Sequence, residues 1–180
     1  MSPIASFYIP GPDEEQFLKE YSKALEKKEV IHLTEKHRDV APILIDLDFR
    51  YPNESKYLSR HYEIQSIKEF IKVYLQEISK YVDEKQFEVY IMEKSKPVQY
   101  EKKNVIKDGV HIIIPNIVTN LSLQLMLRET LLTKLEFIEK ACMCTNGIED
   151  IFDKAVIDKN NWMMYGSCKP YCEPYLITNY

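Results

Sequence analysis

Two aspartates separated by one residue, Asp46 and Asp48, lie at the end of an apolar segment that begins at Ile43. The aliphatic composition of this segment predicts a buried strand, and residues i and i+2 of a strand project from the same face. Two neighbouring carboxylates repel each other, and a divalent cation such as Mg²⁺ or Mn²⁺ would neutralise both. The alternative is a strand end at which the aspartates are solvated or paired with Arg50 or Lys36.

Two later segments also place a polar residue of catalytic type beside a short apolar run. His111 follows Gly109, which predicts a turn, and precedes the apolar run 112–114, which a proline is expected to end. Asp158 ends a further short apolar run, residues 155–157. The chain therefore presents an acid pair, a histidine and a single acid in that order.

This order resembles the archaeo-eukaryotic primase superfamily, and in particular the primase module of primase-helicases from large nucleocytoplasmic DNA viruses. The motifs of that family are an Asp-x-Asp pair, a small-x-His motif and an Asp after a hydrophobic pair. They match residues 45–51, 109–111 and 156–158 here, a Tyr-Gly-Ser-x-Lys-Pro block follows at 165–170, and the resemblance covers roughly 31–180. One departure is Gly109, where the family often has a serine hydroxyl.

The resemblance implies a template-directed nucleotidyltransferase, that is, a DNA primase or primase-polymerase. It implies that Asp46, Asp48 and Asp158 hold two Mg²⁺ or Mn²⁺ ions about 3.5–4 Å apart, which activate a 3′-hydroxyl and clamp the triphosphate of the incoming nucleotide. His111 would contact the nucleotide phosphates and would donate from both ring nitrogens when protonated. Further nucleotide contacts are expected from Lys107, Gly109, Ser167 and Lys169.

The resemblance also implies partners and a location. The expected partners are a single-stranded DNA template, nucleoside triphosphates and a helicase domain or subunit, at the site of DNA replication such as a cytoplasmic viral factory. Two other functions stay open: a repair or end-joining polymerase of the same superfamily, and a module that binds nucleic acid without catalysis. The intact aspartates argue against the module without catalysis.

The net charge is mildly acidic, with 24 Lys and Arg residues against 28 Asp and Glu residues, so bulk charge does not predict nucleic-acid binding. A local basic cluster could form a template groove, or it could be a strand edge whose lysines discourage pairing. This cluster consists of Lys94, Lys96, Lys102, Lys103 and Lys107.

The chain has no apolar run of the ~20 residues that span a bilayer and no signal peptide, which predicts a soluble intracellular protein without a membrane partner. In that setting the cysteines are expected to be reduced thiols, although their spacing would allow a zinc site if the two pairs meet. They are Cys142, Cys144, Cys168 and Cys172.

These residues must be positioned by one buried core, for which 180 residues suffice. We expect a single primase-like catalytic domain over residues 1–180, excised from or N-terminal to a longer primase-helicase. The predicted class is α+β, with a curved, largely antiparallel sheet flanked by helices. Helices are predicted at 13–28, 64–78, 121–141 and 147–154, and strands at 30–35, 41–49, 87–92, 104–106, 110–114, 162–165 and 175–178.

Overall fold

The structure is a computed structural model that describes residues 5–180. The helices are α1 (Gly11–Glu26), α2 (Ile64–Ile78), α3 (Leu121–Leu135), α4 (Phe137–Ala141), α5 (Ile148–Ile151) and α6 (Ala155–Asp158). The strands are β1 (Thr34–Glu35), β2 (Val40–Pro52), β3 (Tyr90–Glu93), β4 (Val98–Tyr100), β5 (Val105–Asn120), β6 (Trp162–Met163) and β7 (Leu176–Asn179). Among the helices in this described range, none is long and apolar enough to cross a membrane.

A five-stranded antiparallel sheet organises the fold. Its longest strand, β5, pairs with β2 on one side and with β3 and β4 on the other, and β7 pairs with β3. A separate small sheet consists of β1 and β6. The predicted class, α+β with an antiparallel sheet flanked by helices, is confirmed.

The alternation of side chains along β2 separates two apolar clusters. Ile43 and Leu47 are fully buried in the main core, which is packed against helices that include α2 and α3. Leu44 projects from the opposite face, and so do Asp46 and Asp48. A small cluster of buried apolar residues covers part of this second face; it consists of Leu44, Met92, Val156, Ile157 and Trp162. The predicted acid pair therefore lies beside the small cluster and away from the main core.

The turn predicted at Gly109 and the strand end predicted at Pro115 are both wrong, because β5 continues through both residues. A Cβ atom at position 109 would lie 2.7 Å from the carbonyl oxygen of Leu47, so glycine here permits a close approach of two strands. Pro115 lies where the register between β5 and β2 shifts. A proline is tolerated at such a bulge because the ladder hydrogen bond is already interrupted.

Further predicted elements differ in length from those of the structure. The apolar run 155–157, for which no element was predicted, forms the helix α6, and the Asp153 side chain favours the helical start because it accepts a hydrogen bond from the Ala155 N–H at 2.9 Å. The helix predicted over 121–141 is divided at Glu136 into α3 and α4. The strands predicted at 30–35 and 162–165 are reduced to the two-residue strands β1 and β6.

Candidate active site

The pairing of β2 with β5 brings the first two predicted motifs together. Asp46 lies directly opposite His111, and Asp48 lies opposite Gly109. Directly opposed residues of antiparallel strands project from the same face, so the acids and the histidine share one surface. The Asp46 side chain is 15% exposed and that of His111 is 11% exposed. Their nearest atoms, His111 Nε2 and Asp46 Oδ1, are 3.6 Å apart, which is too long for a hydrogen bond.

The electrostatic environment of Asp46 fits a divalent cation. Its Oδ1 atom is buried and has no hydrogen-bond partner in the described part of the chain. Burial raises the pKa of Asp46 well above its ordinary value, the charges of Asp48 and Asp153 raise that pKa further, and Lys169 and Lys94 lower it. A buried carboxylate oxygen without a partner, beside further carboxylates, is stabilised by a hard cation that takes oxygen ligands. The donor set therefore suits Mg²⁺ or Mn²⁺.

Asp153 is the acid of the segment 150–160 that lies beside Asp46. The Asp153 N–H donates a hydrogen bond to the Asp46 carbonyl oxygen at 3.0 Å, and its charge acts on the Asp46 carboxyl group. Asp158 instead lies exposed at the C-terminal end of α6, because Val156 and Ile157 before it are buried in the small cluster. The metal-ligand role of Asp158 stays a prediction that this position does not support.

Asp153 could have been found from the sequence. Ile151-Phe152-Asp153 is an apolar pair followed by an acid, the same pattern that was assigned to 156–158. We call Asp46, Asp48 and Asp153 the carboxylate cluster. The Asp153 carboxylate accepts a hydrogen bond from the Ala155 N–H, and no three His, Cys, Asp or Glu side chains within residues 5–180 stand close enough together to hold a metal ion.

The cysteines form no metal site within residues 5–180. Cys142 is buried in the main core. Cys144 donates weak hydrogen bonds to backbone oxygens, and Cys168 and Cys172 lie in the segment after β6. All four are free thiols.

His111 lies against two aromatic rings. The centroid of its ring is 3.6 Å from that of Tyr175, at an interplanar angle of 16°, and 4.5 Å from that of Trp162. Burial lowers the pKa of His111 to about 3, and the positive charges of Lys94 and Lys169 contribute to the shift. His111 is therefore neutral at physiological pH. The phosphate contact predicted for it would use one ring N–H donor and not two.

Tyr175 and Trp162 were missed as site residues because an isolated aromatic residue has no spacing signal. Burial, together with the negative charges of Asp46, Asp48 and Asp108, raises the pKa of the Tyr175 hydroxyl. This hydroxyl therefore keeps its proton at neutral pH and can act as a hydrogen-bond donor.

The two predicted lysines occupy different positions. Lys169 is exposed, and its charge acts on both Asp46 and His111, so it lies where an anion bound at the carboxylate cluster would be attracted. Lys107 is on the same face of β5 as Gly109 but two residues before it, farther from His111. Its Nζ atom lies 5.6 Å from the centroid of the Tyr100 ring.

Ser167 is 1% exposed and is already hydrogen-bonded. The Tyr21 hydroxyl donates to the carbonyl oxygen of Tyr165 at 2.7 Å, so the proton in its 2.9 Å contact with Ser167 comes from Ser167. Ser167 Oγ also accepts from the Leu33 N–H at 3.1 Å. Its hydroxyl thus joins α1 and the segment before β1 to the block 165–170 and has no donor left for a phosphate. The nucleotide contact predicted for Ser167 would require this arrangement to break.

A buried ionic network supports the site from the core side of the sheet. The Arg60 guanidinium donates to Asp108 at 3.0 Å, to Glu93 at 2.8 Å and to the Lys94 carbonyl oxygen at 2.7 Å. The Tyr62 hydroxyl donates to Glu93 at 2.6 Å. Such charge-assisted hydrogen bonds are short and directional. They join β3 to β5 next to Gly109, so the histidine motif is held in position from the core side of the sheet.

The close approach at Gly109 leads to a stability prediction. Replacing Gly109 with Ala would place Cβ 2.7 Å from the Leu47 carbonyl oxygen and 3.0 Å from Tyr175 Oη. Overpacking of this kind costs about 1–3 kcal/mol, so we expect the melting temperature to fall by roughly 2–10 °C in thermal unfolding. Gly11→Ala is the control, because nothing lies within 4 Å of a Cβ there. Equal melting temperatures for both variants would show that the two strands can separate freely.

The comparisons with known proteins identify the family of this chain. The family model described as "C962R protein N-terminal AEP domain", where AEP stands for archaeo-eukaryotic primase, matches residues 1–180. Over 173 residues, 93% of this chain, the sequence is 36% identical to the putative helicase L207/L206 of Acanthamoeba polyphaga mimivirus. The chain spans 18% of the length of that relative.

Proposed function

The chain belongs to the archaeo-eukaryotic primase family, of the C962R type, and on that premise we propose that it is a template-directed nucleotidyltransferase, a DNA primase or primase-polymerase. The observation that carries the proposal is the buried, unpartnered Oδ1 atom of Asp46, beside Asp48 and Asp153 and opposite His111. Carboxylates with this environment, next to lysines, suit an enzyme that binds a metal-complexed triphosphate.

The carboxylate cluster would hold Mg²⁺ or Mn²⁺. Bound there, the ions would neutralise the triphosphate and lower the pKa of the attacking 3′-hydroxyl. The pairing of β2 with β5 keeps Asp46 and Asp48 on the side of the sheet that carries His111. Asp153 approaches them from the segment before α6.

The other side chains of the site would bind and orient the nucleotide. Lys169 and Lys94 would attract its phosphates, because the charges of both act on Asp46 and His111. His111 would donate one neutral N–H to a phosphate oxygen. Trp162 and Tyr175 exclude water from the His111 ring and hold its orientation.

The partners follow from the same proposal. The basic cluster around β4 would contact the phosphate backbone of a single-stranded DNA template. The mimivirus relative is named a putative helicase, and this chain matches 18% of it. We therefore propose that the catalytic domain works with a helicase domain or subunit.

A synthesis assay on circular single-stranded DNA tests the proposal, because such a template has no 3′ end from which synthesis could start. With labelled nucleotides and Mg²⁺ or Mn²⁺, we expect the protein to make product both without a primer and from an annealed primer. The Asp46→Asn/Asp48→Asn double variant is the control and should make none. Synthesis only from the primer would favour a repair or end-joining polymerase. DNA binding without synthesis in either case would identify a module without catalysis.

A further inference from the structure

Tyr175 is held in the site by two contacts of its ring. One face stacks on His111 at a centroid distance of 3.6 Å, and Lys94 Nζ lies 4.7 Å from the ring centroid. The residues that follow form β7, which pairs with β3. The ring therefore has little freedom to move unless this edge strand separates from the sheet.

The Tyr175 hydroxyl occupies space that a side chain at position 109 would need. A Cβ atom built on Gly109 would lie 3.0 Å from Tyr175 Oη and 3.6 Å from Asp48 Oδ1. The hydroxyl thus reaches the position next to Asp48 that the glycine leaves without a side chain. Within residues 5–180, this hydroxyl makes no hydrogen bond.

The groups around this hydroxyl define the chemistry of a ligand that could use it. The negative charges of Asp46 and Asp48 act on the hydroxyl, and the positive charges of Lys94 and Lys169 act on Asp46. An anion can approach two carboxylates only together with cations, so the ligand that suits all these groups is a metal-bound polyphosphate. A neutral hydroxyl donor at this place would form a charge-assisted hydrogen bond to one of its oxygens.

We propose that the Tyr175 hydroxyl donates a hydrogen bond to the triphosphate of the bound nucleotide and supplies the donor that Gly109 lacks. This inference rests on the proposed nucleotidyltransferase function. It assigns a phosphate-binding role to the residue that precedes β7, outside the three sequence motifs and the block 165–170.

Calorimetric titration of the Tyr175→Phe variant tests the inference. The phenylalanine keeps the ring stacked on His111 and removes only the hydroxyl. dATP and ATP are titrated separately in the presence of Mg²⁺, and the one that binds the wild type is compared. We expect its dissociation constant to be about ten- to a hundredfold higher for the variant. Mn²⁺ titrated alone should bind the variant as it binds the wild type. Tyr81→Phe, at an exposed position after α2, is the matched control and should change neither titration.

Several results would overturn the assignment. Unchanged nucleotide affinity in Tyr175→Phe would remove the hydroxyl from phosphate binding. If Tyr175→Ala then bound nucleotide more tightly than the wild type, the Tyr175 ring would sterically block access to His111. Weakened Mn²⁺ binding in Tyr175→Phe would show that the hydroxyl supports the carboxylates and not the phosphates. Absence of nucleotide binding in the wild type would contradict the proposed function itself, and the inference with it.

Discussion

Replacing Asp46 with Asn is expected to abolish nucleotide synthesis while making the protein more stable at neutral pH. Mutating a residue that merely supports a metal ligand lowers metal affinity or activity about 10- to 100-fold. Mutating a ligand itself should therefore lower activity at least about a hundredfold. Stability should rise because the substitution removes a buried charge that has no hydrogen-bond partner and is repelled by Asp48 and Asp153. Removing such an unpaired buried charge should raise the free energy of unfolding by about 1–3 kcal/mol, which corresponds to roughly 2–10 °C in melting temperature.

The stabilisation should depend on pH with a definite sign. The folded-state pKa of Asp46 is raised, so the folded wild type binds its proton more tightly than the unfolded chain does. The wild type therefore loses stability as the pH rises through that raised pKa. The Asn variant, which cannot ionise, should gain most above this pKa and nothing below about pH 3.9, where the aspartate is protonated in both states.

Thermal unfolding at pH 8 and pH 4, together with the primer-extension rate, checks both parts of this prediction. Asp83→Asn, at an exposed position, serves as the control for a change from acid to amide. A variant that is inactive and also less stable than the wild type at pH 8 would show that Asp46 has a structural partner. A variant with unchanged activity would end the catalytic assignment.

The second prediction separates the two candidates for the third acid. Asp153→Asn should lower kcat/KM for primer extension by at least about a hundredfold, whereas Asp158→Asn should leave it nearly unchanged. The reason is position, since Asp153 acts on the Asp46 carboxyl group and Asp158 lies exposed at the end of α6. Asparagine keeps a side-chain oxygen that can accept from the Ala155 N–H, so the start of α6 is preserved and the fold remains intact.

Kinetic assays combined with Mn²⁺ titrations give the readout for both variants. Weaker Mn²⁺ binding in Asp153→Asn and wild-type binding in Asp158→Asn would agree with the expected result. If Asp158→Asn were the inactive variant, the third ligand would be the acid that the sequence motif indicated, and the segment around α6 would have to rearrange when the metal binds.

The parts of the site that follow local periodicity were predicted correctly in position. Alternation along the 43–49 segment is enough to place Asp46 and Asp48 on one face, and the structure has them on one face of β2. The apolar stripe of 64–78 has helical spacing, and α2 covers those residues. Both patterns depend only on residues that are consecutive in the chain.

The remaining parts depend on contacts between distant segments. The β2–β5 register puts His111 opposite Asp46, and the packing of α6 in the small cluster leaves Asp158 exposed while Asp153 reaches Asp46. The stacking of Tyr175 on His111 likewise requires β7 to pair with β3.

Sequence by itself therefore determined the family motifs, the fold class and the face on which the acid pair lies. Only the tertiary structure decided which later acid lies beside that pair, whether Ser167 has a free hydroxyl and what occupies the space beside Gly109. The physical reason is that side-chain direction follows from the local backbone period, whereas strand register and helix packing minimise the free energy of the whole core.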